Sequence, residues 1–136
     1  MKISIITATY NSAKTVRDTL ESIKSQAYPH VEHLVIDGLS TDETLQIVHQ
    51  FSNVAKVVSV KDEGIYDAMN KGIRLASGEV IGILNSDDVY IDNEVLNQVA
   101  AIFADESVDA CYADLQYVNE KDTTKLVRNW KSGNFT

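Results

Sequence analysis

A chain of 136 residues, of which 44% are hydrophobic and 24% charged, is long enough to form one compact domain with its own core. The formal net charge of −8 excludes a general affinity for nucleic acid, because the field of the protein repels phosphate backbones. Cys111 is the single cysteine, which excludes an internal disulfide and a cysteine-based zinc site, and we expect its thiol to lie in the core. The apolar N-terminal run is too short for a signal peptide or a membrane span, so a cytoplasmic protein is expected.

Apolar, β-branched segments alternate with segments of helical periodicity along most of the sequence. Strands are predicted at residues 2–9, 32–37, 55–60, 79–84 and 108–113, with helices between them. This alternation indicates an α/β fold with a mostly parallel sheet flanked by helices. After the last of these strands, residues 115–118 and 125–127 are predicted to pair as a hairpin.

Polar residues mark the expected helix starts. The predicted N-caps are Asn11 or Ser12 for the first helix, a capping box of Ser40 and Glu43 for the second, and Asp92 or Asn93 for the fourth. The third helix is predicted at residues 65–76. Gly72 inside it indicates either close packing or a helix end, and Gly78 fits the C′ position after it.

The fourth strand runs directly into Asn85, Ser86, Asp87 and Asp88. Carboxylates cannot lie unpaired inside a buried strand, so we expect them just past its carboxyl end, where parallel sheets bind ligands. Oxygen-rich side chains at such an edge favour Mg²⁺ or Mn²⁺, and we interpret the stretch as the site of a metal that carries a diphosphate. The alternative is a polar turn in which Asp88 caps a short helix.

The first, second and fifth strands also end in polar residues, which favours a binding site at this edge of the sheet. The sequence contains neither G-x-x-x-x-G-K-[ST] nor G-x-G-x-x-G, so no glycine loop is available to hold phosphates. Tyr10 offers a stacking face for a base, or is a half-buried aromatic at a strand end. Asp37 can accept a hydrogen bond from the imide N–H of uracil or thymine, or is tied to the backbone amides of the turn at residues 38–41.

Four segments together carry a resemblance to a known family. They are I-S-I-I-T-A-T-Y-N-S at residues 3–12, H-L-V-I-D-G-L-S-T-D-E-T at 33–44, D-E-G-I-Y-D-A-M-N-K-G at 62–72 and I-L-N-S-D-D at 83–88. In this order and spacing they resemble the family 2 glycosyltransferases with the GT-A fold, over roughly residues 2–113. The resemblance implies transfer of a sugar, with inversion, from a UDP- or dTDP-linked donor to a glycan or lipid-linked acceptor in bacterial polysaccharide or lipopolysaccharide assembly.

The resemblance also implies roles for individual residues. The base and ribose pocket would be formed by Thr7, Thr9, Tyr10 and the adjacent Asn11, with Asp37 on the base edge. The diphosphate and donor sugar would be bordered by Asp62, Gly64, Asp67, Asn70 and Lys71. The family's DXD position is occupied by Asn85, Ser86 and Asp87, and the ligands of Mn²⁺ or Mg²⁺ would be Asp87 and Asp88. Asn85 replaces the first aspartate of DXD and lowers the charge, which leaves a cation from Lys61 or Lys71 as the alternative to the metal.

Residues 1–113 are expected to form the donor domain, and residues 114–136 the start of an acceptor-side region that the chain does not complete. An inverting enzyme needs a base for the acceptor hydroxyl. Asp114, Glu120 and Asp122 fall in this region, but no base is assigned. Exposed Trp130 and Phe135 would favour self-association, unless Trp130 folds back on the sheet. A lipid-linked acceptor would bring the protein to the inner face of a membrane.

Two other functions fit parts of the sequence. A non-catalytic nucleotide-sugar binding module, or an inactive fragment, is consistent with the absence of an assigned base. A nucleotidyltransferase would also use a parallel sheet and acidic metal ligands. Such enzymes carry a glycine- and arginine-rich loop after the first strand, where this chain has Thr9-Tyr10-Asn11-Ser12-Ala13.

Overall fold

The computed structural model describes residues 1–134. These residues fall into two compact units, the first comprising Met1–Ala100 and the second beginning at Ala101. The elements in chain order are β1 Ile3–Thr9, α1 Val16–Lys24, β2 Val31–Asp37, α2 Thr44–Val48, β3 Val54–Ser59, α3 Ile65–Leu75, β4 Val80–Ile83, α4 Val95–Ile102, β5 Leu115–Val118 and β6 Leu126–Trp130. No helix among the described residues combines the length and the apolar composition that crossing a membrane requires.

Strands β1 to β4 form a four-stranded sheet in the order β3-β2-β1-β4, and every neighbouring pair is parallel. The predicted parallel α/β architecture is therefore confirmed for these strands. Because the register places Thr9 opposite Asp37 and Asp37 opposite Ser59, the carboxyl ends of β1, β2 and β3 lie level with one another. This level edge is where the candidate site is found.

Helices cover both faces of the sheet, so its inner strand β1 is buried completely. Ile3 and Ile5 of β1 pack with residues of α1 and α4 on one face, whereas Ile6 and Ala8 pack with Ala68 of α3 on the other. All seven residues of β1 are buried, as its apolar and β-branched composition predicts. The polar members of β1 bond side chains of β2, which removes the cost of burying them.

Gly72 lies inside α3 at the point where the helix packs against β1. A Cβ added at this position would lie 2.5 Å from Cγ2 of Ile6, closer than real Cβ contacts permit. Close packing is thus the correct one of the two interpretations of this glycine. The expectation for Gly78 was wrong, because α3 ends at Leu75 and the backbone N–H of Gly78 instead donates to Oγ of Ser4.

Two predicted N-caps are wrong, because tertiary partners engage the capping side chains. Helix α1 begins at Val16 and has no side-chain cap, while the side-chain oxygen of Asn11 accepts the backbone N–H of Thr41. Helix α2 begins at Thr44, and its N–H is accepted by Asp42 rather than by the expected capping box. Ser40 donates its hydroxyl to Asp37 instead. These bonds tie the loops after β1 and β2 together.

The second unit confirms one prediction and overturns another. Strands β5 and β6 form the predicted antiparallel hairpin, with Leu115 opposite Trp130. The strand predicted at residues 108–113 is absent, because the structure describes this segment without regular secondary structure. Cys111 in this segment is exposed rather than in the core. Trp130 lies in β6 with 49% of its surface exposed, and Phe135 lies outside the described residues.

Candidate functional site

An open pocket of about 830 Å³ lies at the carboxyl edge of the parallel sheet. The loops after β1 and β4 form much of its wall, and the start of α3 completes it. Its lining residues are Ala8, Thr9, Tyr10, Asn11, Ser12, Lys14, Thr15, Asp42, Asp62, Gly64, Ile65, Ala68, Asn85, Ser86 and Asp87. All belong to the first unit, so a single body with its own core positions the pocket.

The pocket brings together many, but not all, of the residues that the sequence singled out. Those that line it are Thr9, Tyr10, Asn11, Asp62, Gly64, Asn85, Ser86 and Asp87. Those that the structure leaves outside the lining are Thr7, Asp37, Asp67, Asn70, Lys71 and Asp88. The pocket walls also include polar and charged residues that sequence reasoning missed, namely Ser12, Lys14, Thr15 and Asp42.

Asp37 is completely buried at the end of β2 and accepts four hydrogen bonds. The donors are the hydroxyls of Thr9, Ser40 and Ser59 and the backbone N–H of Ser40, at 2.5 to 2.9 Å. Burial alone would raise the pKa of Asp37, but these bonds outweigh it and hold the pKa below its usual value. An ionised carboxylate accepts about four hydrogen bonds, so this one has no acceptor site left for a base. The structure therefore favours the second interpretation of Asp37, a carboxylate tied to the turn.

Thr7 is also buried, within β1, and its Oγ1 lies 3.0 Å from Nε2 of His33. Burial lowers the pKa of His33 to about 4, so its ring is neutral at pH 7. The Nδ1 atom of His33 is buried and makes no hydrogen bond with the described residues. This pair stabilises the contact between β1 and β2 beneath the pocket and does not reach the lining.

Tyr10 and Asn11 follow the end of β1 and have different surroundings. The side chain of Tyr10 is 64% exposed at the pocket wall, which leaves its ring free for stacking. Asn11 has a φ of 47°, in the left-handed region that asparagine tolerates better than most residues. Its backbone N–H donates to Oγ of Ser40, and its side chain accepts from Thr41. Asn11 thereby fixes the shape of the loop that presents Tyr10.

Residues 85–88 form a tight turn immediately after β4. The backbone N–H of Asp88 donates to the carbonyl of Asn85 at 3.1 Å, so Ser86 and Asp87 form the corner of the turn. Nδ2 of Asn85 donates to Asp88 at 3.3 Å, whereas Oδ1 of Asn85 is buried without a hydrogen-bond partner among the described residues. Asp88 does not cap a helix, because the next helix begins at Val95.

The two carboxylates of this turn differ in their surroundings. Both residues are exposed, but only Asp87 lines the pocket. Desolvation raises the pKa of Asp88, the negative charge of Asp87 raises it further, and the hydrogen bond from Asn85 opposes both. Repulsion between the carboxylates favours a cation beside them. Only Asp87 faces the pocket, however, so the expected pair of metal ligands is not presented together on its wall.

The donor atoms at this turn fit a hard divalent cation. Within the described residues no cluster of three or more histidine, cysteine, aspartate or glutamate side chains could hold a metal alone. Mg²⁺ is usually bound by one or two carboxylates together with substrate phosphates, so a complete protein cage is not required. The carboxylate of Asp87 is an oxygen ligand of this kind, and Oδ1 of Asn85, which is buried and has no partner among residues 1–134, is a second.

The lysine that lines the pocket is not one of the two that the sequence predicted. Nζ of Lys71 lies 2.8 Å from Asp67 and also donates to the carbonyl of Lys61, and neither lysine lines the pocket. Lys14 does line it, and its ammonium group makes no ion pair or hydrogen bond with any other described residue. A sequence signal for Lys14 existed, since it follows the polar Tyr10-Asn11-Ser12 break after the central strand.

Asp62 borders the pocket on the side of β3 and α3. Its Oδ1 accepts the backbone N–H of Gly64 at 3.0 Å. A Cβ at Gly38 would lie 2.4 Å from Oδ2 of Asp62, so this carboxylate packs directly on a glycine of the loop after β2. Gly64 itself has a φ of 113°, which side chains rarely adopt. The two glycines allow Asp62 to approach the edge of the sheet.

The fold and the pocket together define a class, an α/β protein with a ligand site at the carboxyl edge of a parallel sheet. Comparison with known proteins is more specific, because the model of glycosyl transferase family 2 matches residues 4–136. The chain therefore belongs to this family. The sequence resemblance to the family 2 glycosyltransferases is confirmed.

One relative and two solved structures illustrate the match. The chain is 32% identical over 123 residues to WfaP of Escherichia coli, named as a UDP-Glc:α-D-GlcNAc-diphosphoundecaprenol β-1,3-glucosyltransferase, and covers 88% of its own length but 47% of WfaP. TarS 1–349 of Staphylococcus aureus, in complex with UDP-GlcNAc, superimposes with a TM-score of 0.74 at 35% identity over 80% of this chain and 33% of TarS. The mannosyltransferase PcManGT of Pyrobaculum calidifontis, with GDP-Man and Mn²⁺, gives a TM-score of 0.75 at 28% identity, over 82% of this chain and 35% of PcManGT. The chain thus spans about half the length of WfaP, and the expected GT-A fold is confirmed.

Proposed function

We propose that this chain is the donor-binding part of an inverting glycosyltransferase that takes its sugar from a UDP- or dTDP-linked donor. The observation that carries the proposal is the composition of one pocket. The exposed aromatic ring of Tyr10, the ammonium group of Lys14, which has no ion pair within residues 1–134, and the oxygens of the Asn85–Asp87 turn all line it. A nucleoside diphosphate requires these three chemistries, namely a stacking face for the base and cationic and metal-binding groups for the phosphates.

The lining of the pocket supports the following proposed roles. Tyr10 stacks on the base, and Lys14 neutralises part of the diphosphate charge. Asn85 and Asp87 would hold Mn²⁺ or Mg²⁺, and the bound ion would supply Lewis-acid stabilisation of the leaving diphosphate. Asp62 and the Gly64 backbone border the donor sugar. The buried Asp37 supports the loop that carries Ser40, and through it Asn11, without contacting the nucleotide.

The proposal includes an acceptor side. Inversion requires a base on the face of the sugar opposite the leaving group. Asp114 is not assigned this role, because its Oδ1 accepts both the backbone N–H and the hydroxyl of Ser132 at 2.8 Å. We propose residues 1–113 as the donor domain and residues 114–136 as the beginning of the acceptor side. The acceptor is proposed to be a glycan or a lipid-linked glycan, reached from the cytoplasmic face of the membrane.

Calorimetric titration of UDP in the presence of Mn²⁺, and again in EDTA, tests the proposal. Titrations of dTDP, GDP and ADP serve as comparators for the base. We expect UDP or dTDP to bind, and to bind more tightly with Mn²⁺. A folded chain that binds none of the four nucleotides in either condition would contradict the proposed function.

A non-catalytic nucleotide-sugar binding module is the second candidate. It is favoured by one observation, that two carboxylates of the second unit are already engaged, Asp114 by Ser132 and Asp122 by Thr124. Incubation of the chain with a UDP-sugar and Mn²⁺ separates the two, since a catalytic domain hydrolyses or transfers the sugar and a module only binds it. The nucleotidyltransferase alternative is set aside by the family membership.

A further inference from the structure

Helix α1 carries a stripe of polar side chains on a face that packs inside the protein. The stripe consists of Thr19 and Ser22, which are three residues apart and so share one side of the helix, and of Gln26, which lies two residues beyond the helix end at Lys24. Thr19 is fully buried and Gln26 is 9% exposed. Polar side chains in such positions are costly unless they are hydrogen-bonded. All three bond the main chain of residues 85–96, the segment that leads from the acidic turn to α4.

Thr19 contacts the acidic turn itself. Its Oγ1 donates to the carbonyl of Asp88 at 2.8 Å and lies 3.5 Å from the carbonyl of Asn85. These carbonyls belong to the first and last residues of the turn, whose corner presents Ser86 and Asp87 to the pocket. One buried hydroxyl on a helix thus contacts both ends of the turn.

The remaining members of the stripe hold the segment that follows. The backbone N–H of Tyr90 donates to Oγ of Ser22 at 3.3 Å. The side-chain amide of Gln26 donates to the carbonyl of Asp92 at 2.7 Å and accepts the N–H of Leu96 at 3.0 Å. Together these bonds attach the segment to the C-terminal part of α1 and to the residues just after it.

The turn has a second attachment on its pocket side. Oγ of Ser86 lies 2.8 Å from Oγ of Ser12 in the loop after β1. The turn is therefore held from the loop that also carries Tyr10, and from beneath by Thr19. Both attachments come from the chain between β1 and the end of α1, so the nucleotide-facing loop and the acidic turn share one support.

Packing alone does not explain a threonine at position 19. Its neighbours on the helix, Val16, Leu20 and Ile23, are all buried and apolar. Valine has nearly the shape of threonine and would fill the same space. What threonine adds is the hydroxyl, and the structure shows this hydroxyl bonded to the carbonyls of the turn.

We propose that Thr19 is a positioning residue for the Asn85–Asp87 turn, with Ser22 and Gln26 fixing the segment behind it. The inference rests on the proposed function, because it takes this turn to be the part of the pocket that holds the metal and the diphosphate. Thr19 acts on the ligand groups through the backbone and does not touch the nucleotide. It lets the turn keep its shape when no ligand is bound, so that binding does not have to order the turn.

The test compares Thr19→Val, which keeps the shape, with Thr19→Ser, which keeps the hydroxyl. Titration of UDP in Mn²⁺ should show about tenfold weaker binding for Thr19→Val, since loss of an outer-shell partner of metal ligands typically costs about 10- to 100-fold. Affinity in EDTA should change much less, and Thr19→Ser should restore most of the loss. Ser25→Ala is the matched control, because Ser25 caps the C-terminus of α1, is exposed, and its hydroxyl donates to the carbonyl of Ser22 and not to the turn.

Amide hydrogen exchange in the free chain supplies a readout that does not need the ligand. The Asp88 N–H, bonded to Asn85 across the turn, should exchange faster in Thr19→Val than in Thr19→Ser or Ser25→Ala. A folded Thr19→Val chain with unchanged Mn²⁺-dependent affinity and unchanged Asp88 exchange would overturn the inference. If valine prevents folding, Thr19→Cys replaces it, because a thiol is a weak donor and the same losses are expected.

The two proposals fail in different ways. If the parent chain binds no nucleotide, the proposed function fails, while the exchange of Asp88 still decides whether Thr19 holds the turn. If the parent chain binds UDP with Mn²⁺ and Thr19→Val matches it in both affinity and Asp88 exchange, the proposed function stands and the role of Thr19 is excluded.

Discussion

Strand β1 and the hairpin of β5 and β6 are both regular β structure, yet every residue of β1 is buried and every residue of the hairpin strands is exposed. Strand β1 has a parallel neighbour on each side and helices on both faces. The hairpin is held by its own ladder and by local bonds, such as those from Ser132 to Asp114. A two-stranded hairpin alone is marginally stable in water.

The difference shows which loops of the molecule are held in a fixed position. Loops that leave a fully buried strand inherit its fixed position, and the pocket residues Tyr10 to Thr15 leave β1 in this way. Side chains on the exposed hairpin have no such support within their own unit. This agrees with the finding that the residues that line the pocket all belong to the first unit.

The largest effect is expected from removing core volume beneath the pocket. Ile6→Ala should lower the free energy of unfolding by about 2–5 kcal/mol, because Ile6 of β1 is completely buried and packs against α3. Val127→Ala, on the hairpin and 68% exposed, should change it by less than about 0.5 kcal/mol. Urea denaturation followed by circular dichroism measures both. Equal losses would contradict the contrast between the two regions.

Acid should destabilise the first unit through His33. The folded pKa of about 4 lies below the unfolded value of 6.5, so the unfolded chain binds the proton first. Stability is then full above pH 6.5 and falls as the pH drops toward 4, by about 3 kcal/mol over the whole range. Urea midpoints at pH 7.5 and 5 should differ for the parent chain and differ much less for His33→Gln. The exposed His49 offers the control, since His49→Gln should keep the full pH dependence.

At the pocket, Asp87→Asn should separate binding from stability. Asp87 is exposed, so the free energy of unfolding should change by no more than about 0.5 kcal/mol. UDP affinity in Mn²⁺ should fall at least about tenfold, because a proposed metal ligand loses its charge. Asp37→Asn should show the opposite pattern. It should clearly lower the free energy of unfolding, because it disturbs four buried hydrogen bonds, and should affect UDP affinity less. If Asp87→Asn bound UDP and Mn²⁺ like the parent chain, the metal assignment would be wrong.

Sequence reasoning predicted the first four strands well, because each is an apolar run that the core buries. It was wrong at residues 108–113, where the same kind of run forms no strand. Periodicity reports only that a segment is able to be buried, whereas a strand also needs a neighbour. The helix caps failed for a related reason, since Ser40 bonds Asp37 and Asn11 bonds Thr41 across the fold.

Within the site, local sequence could not decide the role of Asp37. Two of its partners, Thr9 and Ser59, lie on other strands and come together only through the register of the sheet. The acidic turn was predictable, because an apolar run that ends in Asn85 to Asp88 must place those side chains at a strand end. Lys14 was missed, because a lysine near a helix start is usually solvated, and only the tertiary structure shows it at the pocket wall.

Lys14 gives the smallest and most specific prediction. Replacing it in Lys14→Met removes the one cation on the pocket wall formed by the described residues, while the long apolar stem is kept. A hydrogen bond to a charged group contributes about 1.5–3 kcal/mol, and an exposed lysine lies at the lower end, so UDP affinity should fall about tenfold. Uridine, which lacks the phosphates, should bind both forms equally.

Lys131→Met is the control. It removes an exposed charge from the second unit and should leave UDP binding unchanged, which shows whether net charge or position matters. A loss of uridine affinity equal to that of UDP would mean that Lys14 supports the base side of the pocket and not the diphosphate.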